Sequence, residues 1–137
     1  MYWAKVGKFF ILFLFYLFIG DGDCVFFFFF RKELEANVVG ESANFLAFRD
    51  VNPRAEGHAL VVPKKHMVTL LDIPDELGSE MLGLLKKVAS DLMDKKMGDG
   101  FNLVMNNLDA GGQVVKHAHV HVIPRREGDD LNKILNV

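Results

Sequence analysis

The chain has 137 residues, the length of one domain with a single core and too short for two. Half of its residues are apolar and a quarter are charged, a globular balance rather than a disordered one. A formal charge of -2 excludes the basic footprint of a protein that holds nucleic acid by counterion release, and one cysteine, Cys24, excludes both an internal disulfide and a four-cysteine zinc site.

Residues 1–22 are a hydrophobic, Phe-rich extension, and ten of the 13 phenylalanines lie within the first 30 residues. The run Phe9 to Ile19 (FFILFLFYLFI) follows Lys5 and Lys8 and precedes Gly20-Asp21-Gly22, the layout of a secretory signal with a small-residue exit. Its eleven apolar residues are too few for an ordinary membrane span. Asp21 and Asp23 bar its fusion with Val25 to Phe30 into a longer one. A signal or membrane-surface segment, a packed extension and a mistranslated upstream frame all stay open. The expected location is cytoplasmic, with secretion or membrane association as the alternative if residues 9–19 act as a signal or anchor.

Beyond Asp23 the chain alternates short apolar runs with turn residues. The runs predict strands over Ala36 to Ser42, Phe45 to Val51, His58 to Pro63, Phe101 to Asn107 and Val114 to Ile123. Between the third and fourth, Leu77, Met81, Leu84, Leu85, Val88 and Leu92 recur with helical spacing. Pro74 suits the start of that helix, Asp75 and Glu76 its positive end, Lys95 and Lys96 its negative end, and Gly98 a left-handed stop. Strands around one late helix predict an α+β domain, an antiparallel sheet backed by that helix on one face.

The chemistry concentrates in GGQVVKHAHVHVIPR, Gly111 to Arg125. On a strand His117, His119 and His121 share one face while Ala118, Val120 and Val122 share the other, which goes to the core. One strand histidine would be ordinary solvated or hydrogen-bonded chemistry. Three in register are hard to justify as packing, because imidazole fills a core poorly. Two functions fit. Alternate histidines can ligate a metal such as zinc, or the middle one can act as a nucleophile, since imidazole is roughly three-quarters neutral at pH 7. The preceding loop, with Asn106, Asn107, Asp109, Gly111, Gly112 and Gln113, can turn N–H groups onto an anion and favours phosphate. A zinc site would be expected to add a carboxylate or thiolate, and the strand has neither.

HAHVHVI fits the signature of the histidine triad family, three histidines each followed by an apolar residue. DCVF (Asp23 to Phe26), NFLAFRDVNP (Asn44 to Pro53), GHALVVPKKH (Gly57 to His66) and GGQVVKHAHVHVIPR look like the family's blocks in order. The chain resembles that family over residues 23–128, leaving 129–137 as a C-terminal tail, and KHAHVHVIPR is similar to the branch of the fragile histidine triad protein and its bacterial relatives.

The resemblance implies a five-stranded antiparallel sheet with one long helix on one face, a homodimer, and nucleotidyl transfer to water. It makes His119 the nucleophile that attacks the α-phosphorus of a nucleotide. His117 and His121 would orient it and bind phosphate oxygens, and Gln113 would sit near the leaving group. Asp50 is implied as the acceptor for the ribose hydroxyls, Val25, Phe26, Phe48 and Val51 as the walls of the base pocket, and Asn106 with Gly112 as the phosphate side. His66 is implied in a supporting polar network. Suitable substrates would be dinucleoside polyphosphates or nucleoside phosphoramidates. No cofactor is required, although Mg2+ bound to a polyphosphate substrate can assist.

Some departures from the family pattern bear on this. Certain members hold structural zinc through a Cys-x-x-Cys pair, the His66 position and the first triad histidine, but Phe27 stands at the second thiolate, so that zinc is expected to be absent or weakened. Phe28 replaces a lysine, and Val114 stands where many relatives have Ser or Thr able to donate to the leaving group. The alternative is therefore a nucleotide-binding regulatory module with little turnover, and behind it a histidine-ligated metal hydrolase.

Overall fold

The computed structural model describes residues 37–137. The Phe-rich run, Cys24, Val25, Phe26, Phe27 and Phe28 lie outside the described residues. Strands β1 (Val38–Glu41), β2 (Phe45–Arg49), β3 (Ala59–Pro63), β4 (Gly100–Val104) and β5 (Val120–Arg125) form one sheet in the order β1-β2-β3-β5-β4, with every neighbour antiparallel. Helix α1 (Gly78–Asp94) connects β3 to β4 and lies on one face, and a short helix α2 (Leu131–Leu135) follows β5. No helix among the described residues is long and apolar enough to cross a membrane.

The two-residue period of the strands sorts the sheet into two surfaces. Phe45, Ala47, Ala59, Val61, Val120 and Val122 pack with Leu84, Leu85, Val88 and Leu92 of α1 in one apolar cluster. A large aliphatic side chain buried this fully contributes roughly 2 kcal/mol. Leu77 and Met81, on the same predicted stripe, are partly buried against the cluster. Gly40 lets β1 lie close to the helix, since a Cβ there would come 2.9 Å from Leu84 Cδ1. The other surface carries Leu46, Phe48, Leu60, Val62, His121 and Ile123, all buried.

The helix does not end as the sequence predicts. Its left-handed residue is Lys96, with φ 55°, and the N–H groups of Lys96 and Met97 close back on the carbonyls of Met93 and Leu92, a Schellman stop. Gly98 serves close approach instead. A Cβ at that position would meet Arg125 O at 2.8 Å, so the glycine is what admits the strand alongside. At the other end, Pro74 precedes a single 3₁₀ turn, Asp75–Leu77, that feeds into α1.

The strand that carries the histidines is shorter than Val114 to Ile123 and is displaced toward the C-terminus. β3 and β5 pair only through Ala59 with Val122, Leu60 with His121, and Val61 with Val120. The next stretch of β3 ends in Pro63, which has no N–H to extend the ladder. Its carbonyl is taken by the His117 ring at 2.7 Å, and Ala118 N–H turns to Met67 O. His117 and His119 therefore stand on an irregular approach to the strand, and only His121 lies within it.

Candidate active site

The strand period that buries the apolar residues also assembles the polar ones. Phe48, Leu60, His121 and Val104 form a row across β2, β3, β5 and β4. Asp50 and His58, each two residues from a member of that row, continue β2 and β3 on the same surface. The Asp50 N–H donates to His58 O at 2.9 Å, so the two strands stay paired up to the carboxylate and the ring.

The partners of the imidazoles determine where their protons lie. The Arg54 main-chain N–H donates to His58 Nδ1 at 3.0 Å, so the proton of neutral His58 sits on Nε2. From there it faces His121 Nδ1 at 2.9 Å. That placement puts the proton of His121 on its own Nε2. His119 Nδ1 lies 2.7 Å from the carbonyl of His117, which can only accept. The lone pair of His119 therefore falls on Nε2. His117 donates from Nε2 to Pro63 O, leaving Nδ1 to accept from His66 Nδ1 at 3.1 Å.

Burial keeps these rings neutral. It pushes His117 down to about 4 and, with the neighbouring His119 and His58, pushes His121 down to about 3. Burial also lowers His119 and His58, with Asp50 pulling partly in the other direction on both. Near pH 7 the site holds a row of uncharged imidazoles with assigned donors and acceptors. A neutral nitrogen with its lone pair directed by a fixed tautomer is suited to nucleophilic attack.

The structure brings His66, His117, His119, His121 and Asp50 together, Asp50 Oδ2 lying 3.9 Å from His121 Nδ1. The other predicted residues are distributed around them. Phe48 is buried in the row beside Leu60, while Val51 is 44% exposed. Asn106 follows β4, and Gly112, with φ 85°, comes within 3.9 Å of its amide when given a Cβ. Gln113 is buried, and each end of its amide makes a hydrogen bond to the main chain. Oε1 accepts from Leu108 N–H at 2.8 Å and Nε2 donates to Val68 O at 2.5 Å, which ties the Gly-rich loop to the segment after β3. His117 likewise contributes its carbonyl to His119 while both its ring nitrogens have partners inside the protein.

Sequence reasoning missed His58. It was visible in GHALVVPKKH, but only the β2–β3 register shows that it stands opposite Asp50. It also creates a group able to hold a metal ion. The ligand atoms of Asp50, His58 and His121 lie 3.5, 2.9 and 3.9 Å apart, close to the roughly 3.3 Å edge of a tetrahedron with zinc-like bond lengths. The Arg54 N–H works against it, because a metal on His58 Nε2 needs the proton on Nδ1, where that N–H now donates. The hydrogen bonds fit a neutral histidine pair better than a ligated one.

The fold and this histidine constellation define a histidine triad protein. The model of the HIT domain matches residues 31–128, and the chain belongs to the HIT domain family. An uncharacterised HIT-like protein of Methanocaldococcus jannaschii is 46% identical over 107 residues, 77% of this chain and 81% of that one. Adenosine 5′-monophosphoramidase HNT1 of Saccharomyces cerevisiae is 36% identical, over 78% of this chain and 65% of its own length. Adenylylsulfatase HINT3 of Arabidopsis thaliana is 37% identical over 81% of this chain, which spans only 56% of that protein. Among solved structures, a zinc-bound histidine triad family protein from Mycobacterium smegmatis superposes with a TM-score of 0.74 at 37% identity, covering 82% of this chain and 81% of that one.

Proposed function

We propose that this protein is a nucleotide hydrolase that cleaves at the α-phosphate of a nucleoside phosphoramidate or a related phosphoanhydride, including dinucleoside polyphosphates, through a nucleotidyl-His119 intermediate. The observation that carries the proposal is the bond from His119 Nδ1–H to His117 O, which leaves the lone pair of a neutral ring on Nε2. The phosphoramidase and adenylylsulfatase among its relatives support the choice of reaction.

His119 Nε2 attacks phosphorus and forms a P–N bond. The bond from phosphorus to the leaving group breaks, and that group departs with the electron pair and takes a proton from solvent. The positive charge on the His119 ring is held through Nδ1–H by the His117 carbonyl. His121, with its proton on Nε2, donates to a phosphate oxygen as charge builds there. Water then attacks phosphorus and gives up a proton to solvent, the P–Nε2 bond breaks with its electron pair returning to Nε2, and the mononucleotide leaves with neutral His119 restored. One water is consumed and no oxidant or reductant is needed. In this reading Asp50 accepts from the ribose hydroxyls, and Phe48 and Val51 line the base.

A homodimer belongs to the same proposal. β4 is an edge strand, and its Phe101 and Leu103 are 43% and 48% exposed, which suits pairing with a second copy.

The test is AMP release from an adenosine phosphoramidate and from a diadenosine polyphosphate by the wild type and His119→Ala. Release from at least one substrate that vanishes in the variant, with AMP still bound, is expected. Near-normal release by the variant would end the mechanism, and no release by either protein would leave a nucleotide-binding module.

A further inference from the structure

The C-terminal segment reaches the site from outside the sheet. Asp130 caps α2 by accepting from the Lys133 N–H, and Ile134 is buried as its anchor. Past that anchor, two main-chain oxygens face donors. Asn136 O accepts from Nε and Nη2 of Arg54 at 3.2 and 3.1 Å, and Val137 O accepts from Asn106 Nδ2 at 2.7 Å.

Both donors border the histidines. Arg54 lies in the turn between β2 and β3, its main-chain N–H is bonded to His58, and its charge opposes protonation of both His58 and His121. Asn106 is two residues beyond Val104, which pairs with His121. A guanidinium and an amide donate only to acceptors, and here both donate to main-chain oxygens of two consecutive residues. Phosphate oxygens could stand in the same positions with stronger, charge-assisted bonds.

We propose that Arg54 and Asn106 form an anion subsite at the mouth of the triad, and that Asn136–Val137 is a strap that fills it until the phosphate of a nucleotide displaces it. The proposal rests on the nucleotide reading above and adds to it a cation, Arg54, and an internal competitor. The main-chain oxygens hold the donors in position, and a phosphate gains the guanidinium charge that the Asn136 carbonyl meets only as a dipole. Adenosine, lacking an anion, has little to compete for there.

The experiment measures calorimetric affinities for AMP and for adenosine in the full chain and in a chain ended after Leu135, which keeps Ile134. AMP should bind the shortened chain about tenfold more tightly, while adenosine changes by less than about twofold. Arg54→Gln in the shortened chain should reverse most of the gain. Ile134→Ala in the full chain, which loosens the anchor without removing residues, should also tighten AMP. Equal or weaker AMP binding in both released forms, or a gain shared equally by adenosine, overturns the strap while leaving the nucleotide reading intact. AMP binding to none of the chains overturns both.

Discussion

Replacing His58 with alanine removes the donor that fixes the tautomer of His121 while leaving His119 and its own partner in place. In the wild type the order runs from Arg54 N–H to His58 Nδ1 at 3.0 Å, and from His58 Nε2 to His121 Nδ1 at 2.9 Å. Without the ring, Asp50 Oδ2 stands as an acceptor 3.9 Å from His121 Nδ1. A carboxylate attracts the proton, so His121 changes to the Nδ1–H form and loses the Nε2–H that donates to phosphate. Removing one donor to a developing oxyanion costs on the order of 10²–10³ in kcat, about 3–4 kcal/mol. KM for the nucleotide should change far less, because His58 acts through His121 and does not touch substrate. The assay is steady-state AMP release, paired with nitrogen-15 shifts of the His121 ring to read its tautomer. His58→Gln, whose amide can donate toward His121, should recover part of kcat. A His58→Ala enzyme with kcat within a few-fold of wild type, or with His121 still protonated on Nε2, would refute the chain of tautomers.

Asp50→Ala should raise KM for ribonucleotide substrates by roughly ten- to a hundredfold, the scale of hydrogen bonds to a charged group, and should affect 2′,3′-dideoxy analogues little; equal effects would remove Asp50 from the ribose. Acid should weaken the fold through its buried histidines. The folded values of His117 and His121, about 4 and about 3, lie below the 6.5 of an unperturbed ring, so the unfolded chain binds protons that the native one refuses. Stability is then full above about pH 6.5 and falls as pH drops toward 4, with a slope set by the excess of bound protons. Urea midpoints measured between these limits should decline steadily. A flat profile down to pH 4.5 would contradict the neutral rings.

The period of apolar residues was enough to place the sheet and the helix stripe, because both are set by burial, and burial repeats at fixed intervals along the chain. The motif blocks singled out His66, His117, His119, His121 and Asp50 as candidates. What local sequence did not carry is pairing. His58 is an ordinary residue before a strand until β2 lies beside β3 and sets it against Asp50. The length of the histidine strand was misjudged for a similar reason, since alternation in HAHVHV runs on while the ladder to β3 stops at Val61, short of Pro63. Lys96 at the helix stop escaped because a glycine two residues later suits the same geometry. The bonds that Gln113 makes to Leu108 and Val68 were hidden for the same reason, because they depend on how the loop folds back on the segment after β3.

The group that orients the proposed nucleophile is a peptide carbonyl, that of His117. Every residue has a peptide carbonyl, so the orientation of His119 is encoded in the path of the chain rather than in a replaceable side chain. Substitution at position 117 can change how the Pro63 and His66 contacts hold that path, yet it cannot delete the acceptor itself. Divergent sequences could vary that first ring widely and keep the same nucleophile, provided the backbone still bends where β3 runs out of partners.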